Sequence, residues 1–313
     1  MADKSISVVV PVYNSEQSLP LLIDRLNKVL MASCQDFEVI LVNDGSRDGS
    51  WETIVSLAQQ YSWLHGINLM RNYGQHNALL CGIRKAKHEL IVTIDDDLQN
   101  PPEEIPGLVA RLEEGYDVVY GTPQAQQHGV LRDLASIITK MALQGFMGAH
   151  AARQVSAFRV FRTELREAFH QYHGSFVSID VLLTWGAEKF SAVSVRHEPR
   201  TIGQSNYTVS RLFRHAINMM TGFSVMPLQV ASFLGFACTI FGLFILVYVI
   251  TIFLVHGSPV PGFTFLASII AIFSGAQLLA LGIIGEYLAR MHFRSLGHPS
   301  SVIRGTTDDK KGK

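Results

Sequence analysis

Three consecutive carboxylates, Asp95, Asp96 and Asp97, end an apolar run from Glu89 to Ile94, and the chain then passes through Leu98-Gln99-Asn100 into Pro101-Pro102. Two carboxylates spaced i, i+2 suit a hard divalent cation shared with the phosphates of a substrate. A buried parallel strand delivers such a group to the carboxyl edge of its sheet, where open α/β folds bind ligands. The bland alternative is a solvated acidic turn. Strand alternation turns Asp96 away from its two neighbours, which favours a structural role for it.

Other residues with chemical potential fall at the ends of similar runs. Ile6–Val12 is β-branched and ends at Pro11, Tyr13 and Asn14, with Ser15 and Glu16 following. Leu19, Leu22, Ile23, Leu26, Val29 and Leu30 then recur at helical spacing. A strand over Phe37–Val42 is closed by Asn43-Asp44-Gly45-Ser46, a helix over 49–61 follows, and a strand over Gly66–Met70 leads to Arg71 and Gly74. Gly74–Ala86 reads as helix, and Glu89–Ile94 and Asp117–Tyr120 as further strands. Strands alternating with helices predict an α/β fold with a mainly parallel, Rossmann-like, doubly wound sheet. Right-handed crossovers bring Tyr13, Asp44, Arg71 and Asp95 to one edge.

Two apolar stretches set the class. Leu228–Val255 has 28 residues and no charge, which as helix is about 42 Å, longer than a hydrocarbon core of about 30 Å. Phe263–Gly285 is similar, and His256–Gly262 makes a short link. Buried core helices of a soluble protein are the competing reading. Arg211 and Arg214 precede the first stretch and Arg290 and Arg294 follow the second, while the link has no Lys or Arg, so the positive-inside bias puts both termini in the cytoplasm. Gly235 and Gly242, with Ala271, Gly275 and Gly282, form small-residue stripes that let helices approach.

With 26 basic and 26 acidic groups, no overall field marks a nucleic-acid binder. Cys34, Cys81 and Cys238 show neither metal spacing nor a disulfide framework, which fits a reducing compartment. No cleavable signal peptide is read at the N-terminus. The expected organisation is a domain over 1–206 with an interfacial amphipathic stretch at about 130–147, an amphipathic helix over 207–226, a transmembrane hairpin over 227–290, and a basic tail over 291–313.

Four blocks carry a resemblance: Val8-Val9-Val10-Pro11-Val12-Tyr13-Asn14, Val42-Asn43-Asp44-Gly45-Ser46, Arg71-Asn72-Tyr73-Gly74-Gln75-His76, and Asp95 through Pro106. In this order, before a hairpin, they resemble the family-2 glycosyltransferases of the polyprenyl-phosphate type, which include dolichol-phosphate mannose synthases and bacterial undecaprenyl-phosphate sugar transferases. The third and fourth blocks look most like the undecaprenyl-phosphate 4-deoxy-4-formamido-L-arabinose transferases. The resemblance implies a GT-A fold and inverting transfer from a nucleotide-sugar, UDP-linked by analogy, to undecaprenyl or another polyprenyl phosphate. It also implies a multi-pass protein of the bacterial inner membrane, with the catalytic domain and both termini cytoplasmic, serving envelope glycan or lipid A modification. Homo-oligomers, up to a tetramer, are expected by analogy.

Under that resemblance Asp95 and Asp97 are the Asp-x-Asp pair that holds Mg²⁺ or Mn²⁺ on the donor diphosphate. Pro11, Tyr13, Asn14, Glu16, Asp44, Ser46, Arg71, Gly74, Asp96 and Gln99 are the nucleotide-sugar residues. Bland readings stay open for several: an Asx turn or helix cap for Asp44, strand-edge packing for Tyr13, a surface arginine for Arg71 and helix capping for Gln99. A phosphate monoester is already ionised near neutral pH, so no general base is required. The need is for cations around the acceptor phosphate. Arg132, on the amphipathic stretch, is placed in the catalytic centre, with Arg159, Arg200, Asn206 and Arg211 as further lipid-phosphate residues; pairing with anionic lipid is their alternative. Three positions depart from the family pattern: Asn206 stands where a lysine is usual, Gln124 and its neighbours lack an arginine often found after the equivalent of Tyr120-Gly121, and Ser15 replaces a glutamate, with Glu16 one residue along. A processive polysaccharide synthase would need a Gln-x-x-Arg-Trp element, yet Trp51, Trp63 and Trp185 are never preceded by arginine. An inactive scaffold is disfavoured by the intact Asp95/Asp97 pair.

Overall fold

The computed structural model describes residues 4–123, 155–174, 177–198, 226–256 and 262–308. The chain forms two compact units, one from 1–216 together with 297–313, the other from 217–296.

Among the described residues the first unit is built on one eight-stranded sheet. Its strands are β1 (Ser5–Val12), β2 (Asp36–Asn43), β3 (Leu64–Leu69), β4 (Leu90–Thr93), β5 (Val118–Pro123), β6 (Arg159–Arg162), β7 (Phe190–Val195) and β8 (Ile303–Thr306). The order is β7-β5-β6-β4-β1-β2-β3-β8. Four strands, β3-β2-β1-β4, run parallel, and the crossovers between them are helices α1 (Leu19–Ser33), α2 (Ser50–Gln60) and α3 (Gln75–Lys85). Helix α4 (Ile105–Glu113) links β4 to β5, and the five-residue α5 (Ile179–Leu183) precedes β7.

These elements follow from their residues. In β1, Val8, Val9, Val10 and Val12 are wholly buried, because both faces of a parallel sheet are covered. One face packs Val8, Val10 and Leu41 against Leu22, Ile23 and Leu26 of α1; the other packs Val9, Val42 and Ile91 against Leu79, Leu80 and Ile83 of α3. Gly82 lets α3 come close: a Cβ there would lie 2.4 Å from a Val9 methyl.

The sheet is less parallel than the alternation predicts. Strand β6 lies antiparallel between β4 and β5, and β8 adds antiparallel to β3. Both are four residues long and carry arginine, so neither gives a periodic apolar signal. The domain boundaries shift accordingly. The segment read as a basic tail over 291–313 contains β8, an edge strand of the sheet, and its residues 297–313 are part of the first unit.

The second unit contains α6 (Met226–His256) and α7 (Phe263–Ser295), so helix continues past the expected end at 290. Within them Leu228–Val255 and Ile272–His292 are long and apolar enough to cross a membrane. Large apolar side chains such as Phe233, Phe244 and Leu254 lie exposed on α6. The interfacial stretch at 130–147 and the juxtamembrane segment before Met226 lie outside the described residues.

Candidate active site

The parallel strands β3, β2, β1 and β4 all end at one edge, and sequence order reverses beside β1. The loops after β1 and β4 leave from either side of the crevice that such a reversal opens.

The turn after β4 is held on both sides. Gln75, the first residue of α3, donates its side-chain N–H to Asp95 Oδ1 at 2.6 Å. The Tyr13 main-chain N–H donates to Asp96 Oδ2 at 3.1 Å, and the Ser15 hydroxyl donates to the same oxygen. Asp97 Oδ1 accepts the Gln99 main-chain N–H at 3.1 Å, closing a turn on itself. Leu98 within that turn has φ 62°, a left-handed conformation that strains leucine and is held by burial of its side chain. Burial pushes the Asp96 carboxyl up to about 6, opposed by the Ser15 and Tyr13 hydrogen bonds, with the Asp97 charge adding to the rise. Asp96 therefore ties the β4 turn to the β1 loop, and Asp95 and Asp97 flank it, both partly open to solvent.

The β1 and β2 loops interlock. Asn14, at φ 54°, donates its N–H to Ser46 Oγ at 3.0 Å and accepts the Arg47 N–H at Oδ1 at 2.8 Å. Glu16 accepts the Gly49 N–H at 3.1 Å, and its own N–H donates to Asp48 at 3.2 Å. Pro11 is buried at the end of β1, while the Tyr13 side chain is 39% exposed at the edge.

Asp44 is buried, and its two oxygens accept the Tyr73 and Gly74 N–H groups at 2.7 and 2.8 Å, just before α3. Burial raises its carboxyl and those two bonds oppose the rise. Its role here is to clamp the loop that carries Arg71. Gly45, at φ 65°, permits the approach, because a Cβ there would lie 2.5 Å from the Arg71–Asn72 backbone. The Arg71 guanidinium sits over the Tyr73 ring at 4.8 Å and is exposed at the edge. Gly74, at φ 95°, leads into α3 with nothing near its missing Cβ.

The structure thus brings Tyr13, Asn14, Glu16, Asp44, Ser46, Arg71, Gly74, Asp95, Asp96, Asp97 and Gln99 onto the loops of one sheet edge, with Pro11 near the end of β1 beside them. It does not do so for Arg159. That residue is 1% exposed, paired with Asp180, and lies 5.9 Å from the Tyr120 ring; Tyr120 in turn donates its hydroxyl to Asp180 at 3.2 Å. A guanidinium so enclosed has no face for a lipid phosphate, which corrects the reading of Arg159 as a phosphate ligand. Arg132, Arg200, Asn206 and Arg211 lie outside the described residues, as does Gln124. Gln75, Ser15 and Asp180 went unassigned as contacts in the sequence. Gln75 lies within the Arg71–His76 motif and Ser15 stands where the family has a glutamate, whereas nothing local to Asp180 signals its partner.

Among the described residues no three His, Cys, Asp or Glu side chains group as a metal cage. Two partly accessible carboxylates, steadied by Gln75 and by the Asp97–Gln99 turn, still fit an ion that takes its remaining ligands from substrate phosphate and water.

A parallel β3-β2-β1-β4 half-sheet, with an Asp-x-Asp turn beside its reversal point, is the arrangement of the GT-A fold. The model of glycosyl transferase family 2 matches residues 7–170. Undecaprenyl-phosphate 4-deoxy-4-formamido-L-arabinose transferase of Photorhabdus laumondii is 36% identical over 312 residues, covering 98% of this chain and 96% of that one. The protein of the same name from Yersinia enterocolitica is 36% identical over 306 residues, covering 96% and 93%. The chain belongs to glycosyl transferase family 2. In fold it is similar to glucosyl-3-phosphoglycerate synthase from Mycobacterium tuberculosis, solved with Mn²⁺, UDP-glucose and phosphoglyceric acid, at TM-score 0.52 and 18% identity over 70% of this chain and 78% of that one.

Proposed function

We propose that this glycosyltransferase moves a sugar from a nucleotide-sugar, UDP-linked, to undecaprenyl or another polyprenyl phosphate at the cytoplasmic face of a bacterial inner membrane. The product is a lipid-linked monosaccharide for envelope glycan or lipid A modification. The observation that carries this reading is an Asp-x-Asp turn wired to both Tyr13 and Gln75 at the sheet edge, in a chain that also has two membrane-length apolar helices. Similarity over nearly the whole chain to transferases named for undecaprenyl phosphate supports the acceptor.

In the reaction a lipid-phosphate oxygen attacks the anomeric carbon from the face opposite the nucleotide. The new C–O bond forms as the bond to the diphosphate breaks, and the nucleoside diphosphate leaves with the electron pair, inverting the centre. Asp95 and Asp97 would hold Mg²⁺ or Mn²⁺, which when bound neutralises charge on the departing diphosphate. Tyr13, Arg71 and the loops that Asp44 and Asn14 lock together orient the nucleotide. The acceptor is already anionic, so the protein's task is to bring two anions together, and Arg132, Arg200 and Arg211, with Asn206, are the groups we assign to the lipid phosphate. The working form is a homo-oligomer in the bilayer.

The test is mass spectrometry of lipids from membranes bearing the full chain, supplied with undecaprenyl phosphate and a panel of UDP-sugars. A single-sugar lipid phosphate is expected. A ladder of longer products would mark a processive synthase, and release of sugar independent of lipid phosphate would overturn the acceptor.

A further inference from the structure

Strand β8 follows the second apolar helix in sequence, yet it is the strand that borders β3. Its register pairs Ile67 with Thr306, Asn68 with Gly305 and Leu69 with Ile303, with an irregularity between Asn68 and Leu69. Around the ladder, the grip is concentrated at two points. At the start of β3, the Gly66 N–H donates to Thr307 Oγ1 at 2.9 Å, and the Thr307 N–H donates back to the Gly66 carbonyl at 3.0 Å. Thr307 is buried, and Gly66 has no room for a side chain because a Cβ would lie 2.8 Å from the Thr307 methyl. At the other end, Met70 has both main-chain groups held by the C-terminal segment. Its N–H donates to the Val302 carbonyl at 2.9 Å, and its carbonyl accepts from Arg304 at 3.1 Å.

Met70 is where the chain leaves β3 for the Arg71–Gly74 loop. That loop gives the Tyr73 and Gly74 N–H groups to Asp44, and its backbone lies against Gly45. A second path starts at Asn68, which accepts the Asn43 side-chain N–H at 2.9 Å; Asn43 accepts the Ser46 N–H at 3.3 Å, and Ser46 accepts the Asn14 N–H at 3.0 Å. Without β8, β3 would be an edge strand with unpaired N–H and C=O groups, and the exit point of the loop would be fixed only from the β2 side.

We infer that β8 is a positioning element of the donor site: Thr307 and Arg304 fix the two ends of β3, and through Met70 they set where the Arg71–Gly74 loop, and with it the nucleotide, sits. The inference rests on the proposed use of this edge for a nucleotide-sugar. It follows that residues 1–216 alone lack a strand their own site depends on. The strand becomes available only once both apolar helices have been synthesised.

The experiment uses the full chain in lipid nanodiscs, with Thr307→Val, Thr307→Ser and Arg304→Ala, beside a chain ending at Leu296. Loss of the two Met70 hydrogen bonds at the loop exit, with the pairing of β3, should weaken UDP binding and raise the donor KM about tenfold in the shortened chain, and loss of the single Gly66 bond at the other end of β3 should raise it about threefold in Thr307→Val. Thr307→Ser keeps the hydroxyl and should restore the wild-type value, while kcat and the acceptor KM stay within about twofold throughout. Amide exchange should quicken at Met70, Tyr73 and Gly74 and stay slow in β1. If the shortened chain loses protection in β1 it has unfolded, and Thr307→Val with Arg304→Ala then decides. Unchanged exchange at Tyr73 and Gly74, or an acceptor KM that rises as much as the donor KM, would overturn the role of β8. Failure of the intact chain to bind any UDP-sugar would instead sink the proposed function, because the exchange readout needs no ligand.

Discussion

In the parallel half of the sheet, β3-β2-β1-β4, Asp95 and Asp97 sit just beyond the end of β4, partly open, and accept hydrogen bonds from Gln75 and from the Gln99 main chain. In the mixed half, β6-β5-β7, the same residue types face inward: Arg159 lies within β6, and its carboxylate partner, Asp180, comes from α5. Asp95, Asp97 and Arg71 stay accessible by lying past the last ladder position, where the backbone has turned out of the sheet, whereas Asp44, also past a strand end, is covered by the Arg71–Gly74 loop it clamps. An Asp or Arg that lies within a strand or covered by a helix is enclosed, and must find its counter-charge inside. The two halves therefore predict opposite kinds of failure.

The largest effect should come from Asp97→Ala, which removes one of the two partly open carboxylates. Transfer should fall about 10⁴-fold, while the thermal midpoint and membrane insertion stay near wild type. Product assays on purified, correctly inserted protein check this, and near-normal turnover would move the cation site elsewhere. Arg159→Ala should fail the other way, leaving Asp180 buried without its partner at a cost of about 3–5 kcal/mol in stability. Denaturant unfolding reads the loss. A double replacement of Arg159 and Asp180 by apolar residues should recover much of it. A stable Arg159→Ala protein with only a raised acceptor KM would restore the phosphate role and blur the distinction between the halves.

A smaller effect is expected at the seam between α3 and the Asp-x-Asp turn. Gln75→Leu removes the 2.6 Å bond to Asp95 and should weaken Mn²⁺-dependent UDP binding about tenfold. Titration of the cation at fixed UDP measures it, and equal loss in cation-free binding would assign Gln75 to the nucleotide instead. The smallest effect belongs to the clamp beneath the β4 turn, where Arg25 holds Glu103 at 2.7 Å and Glu198 at 3.0 Å, and the Glu198 N–H donates to the Gln99 carbonyl at 2.9 Å. Hydrogen bonds from Arg25 hold both carboxyls below the ordinary glutamate range. Groups lowered on folding stabilise the protein above their unfolded value, and that share is lost as pH falls through the lowered value. Arg25→Met should therefore flatten the loss of stability between about pH 5 and pH 3, seen as a shallower fall in thermal midpoint.

Much of the fold was legible because its signals are local. The valines of β1, the helical spacing in α1 and the acid-ended run at β4 each declare an element, and chain handedness brings their ends together. The Asp-x-Asp turn, Tyr13, Asn14 and Asp44 were readable for the same reason: each lies immediately after an apolar strand. Strands β6 and β8 were not legible, since four residues with arginine among them carry no period. Their existence depends on partners 66 positions away, as for Arg159 beside Thr93, or farther, as for Thr306 beside Ile67.

The amino-acid order alone determined the alternation of strand and helix, the acidic turn that ends the fourth strand and the two long apolar helices, because propensity, periodicity and hydropathy act within a few residues of each other. Tertiary structure decided which charges stay at the edge and which are enclosed. It made Asp44 a clamp and Asp96 a tie, paired Arg159 with Asp180, and returned the C-terminal segment to the sheet. Those outcomes are set by distance in space, through desolvation and hydrogen-bond partners contributed by remote chain, and no local pattern encodes them.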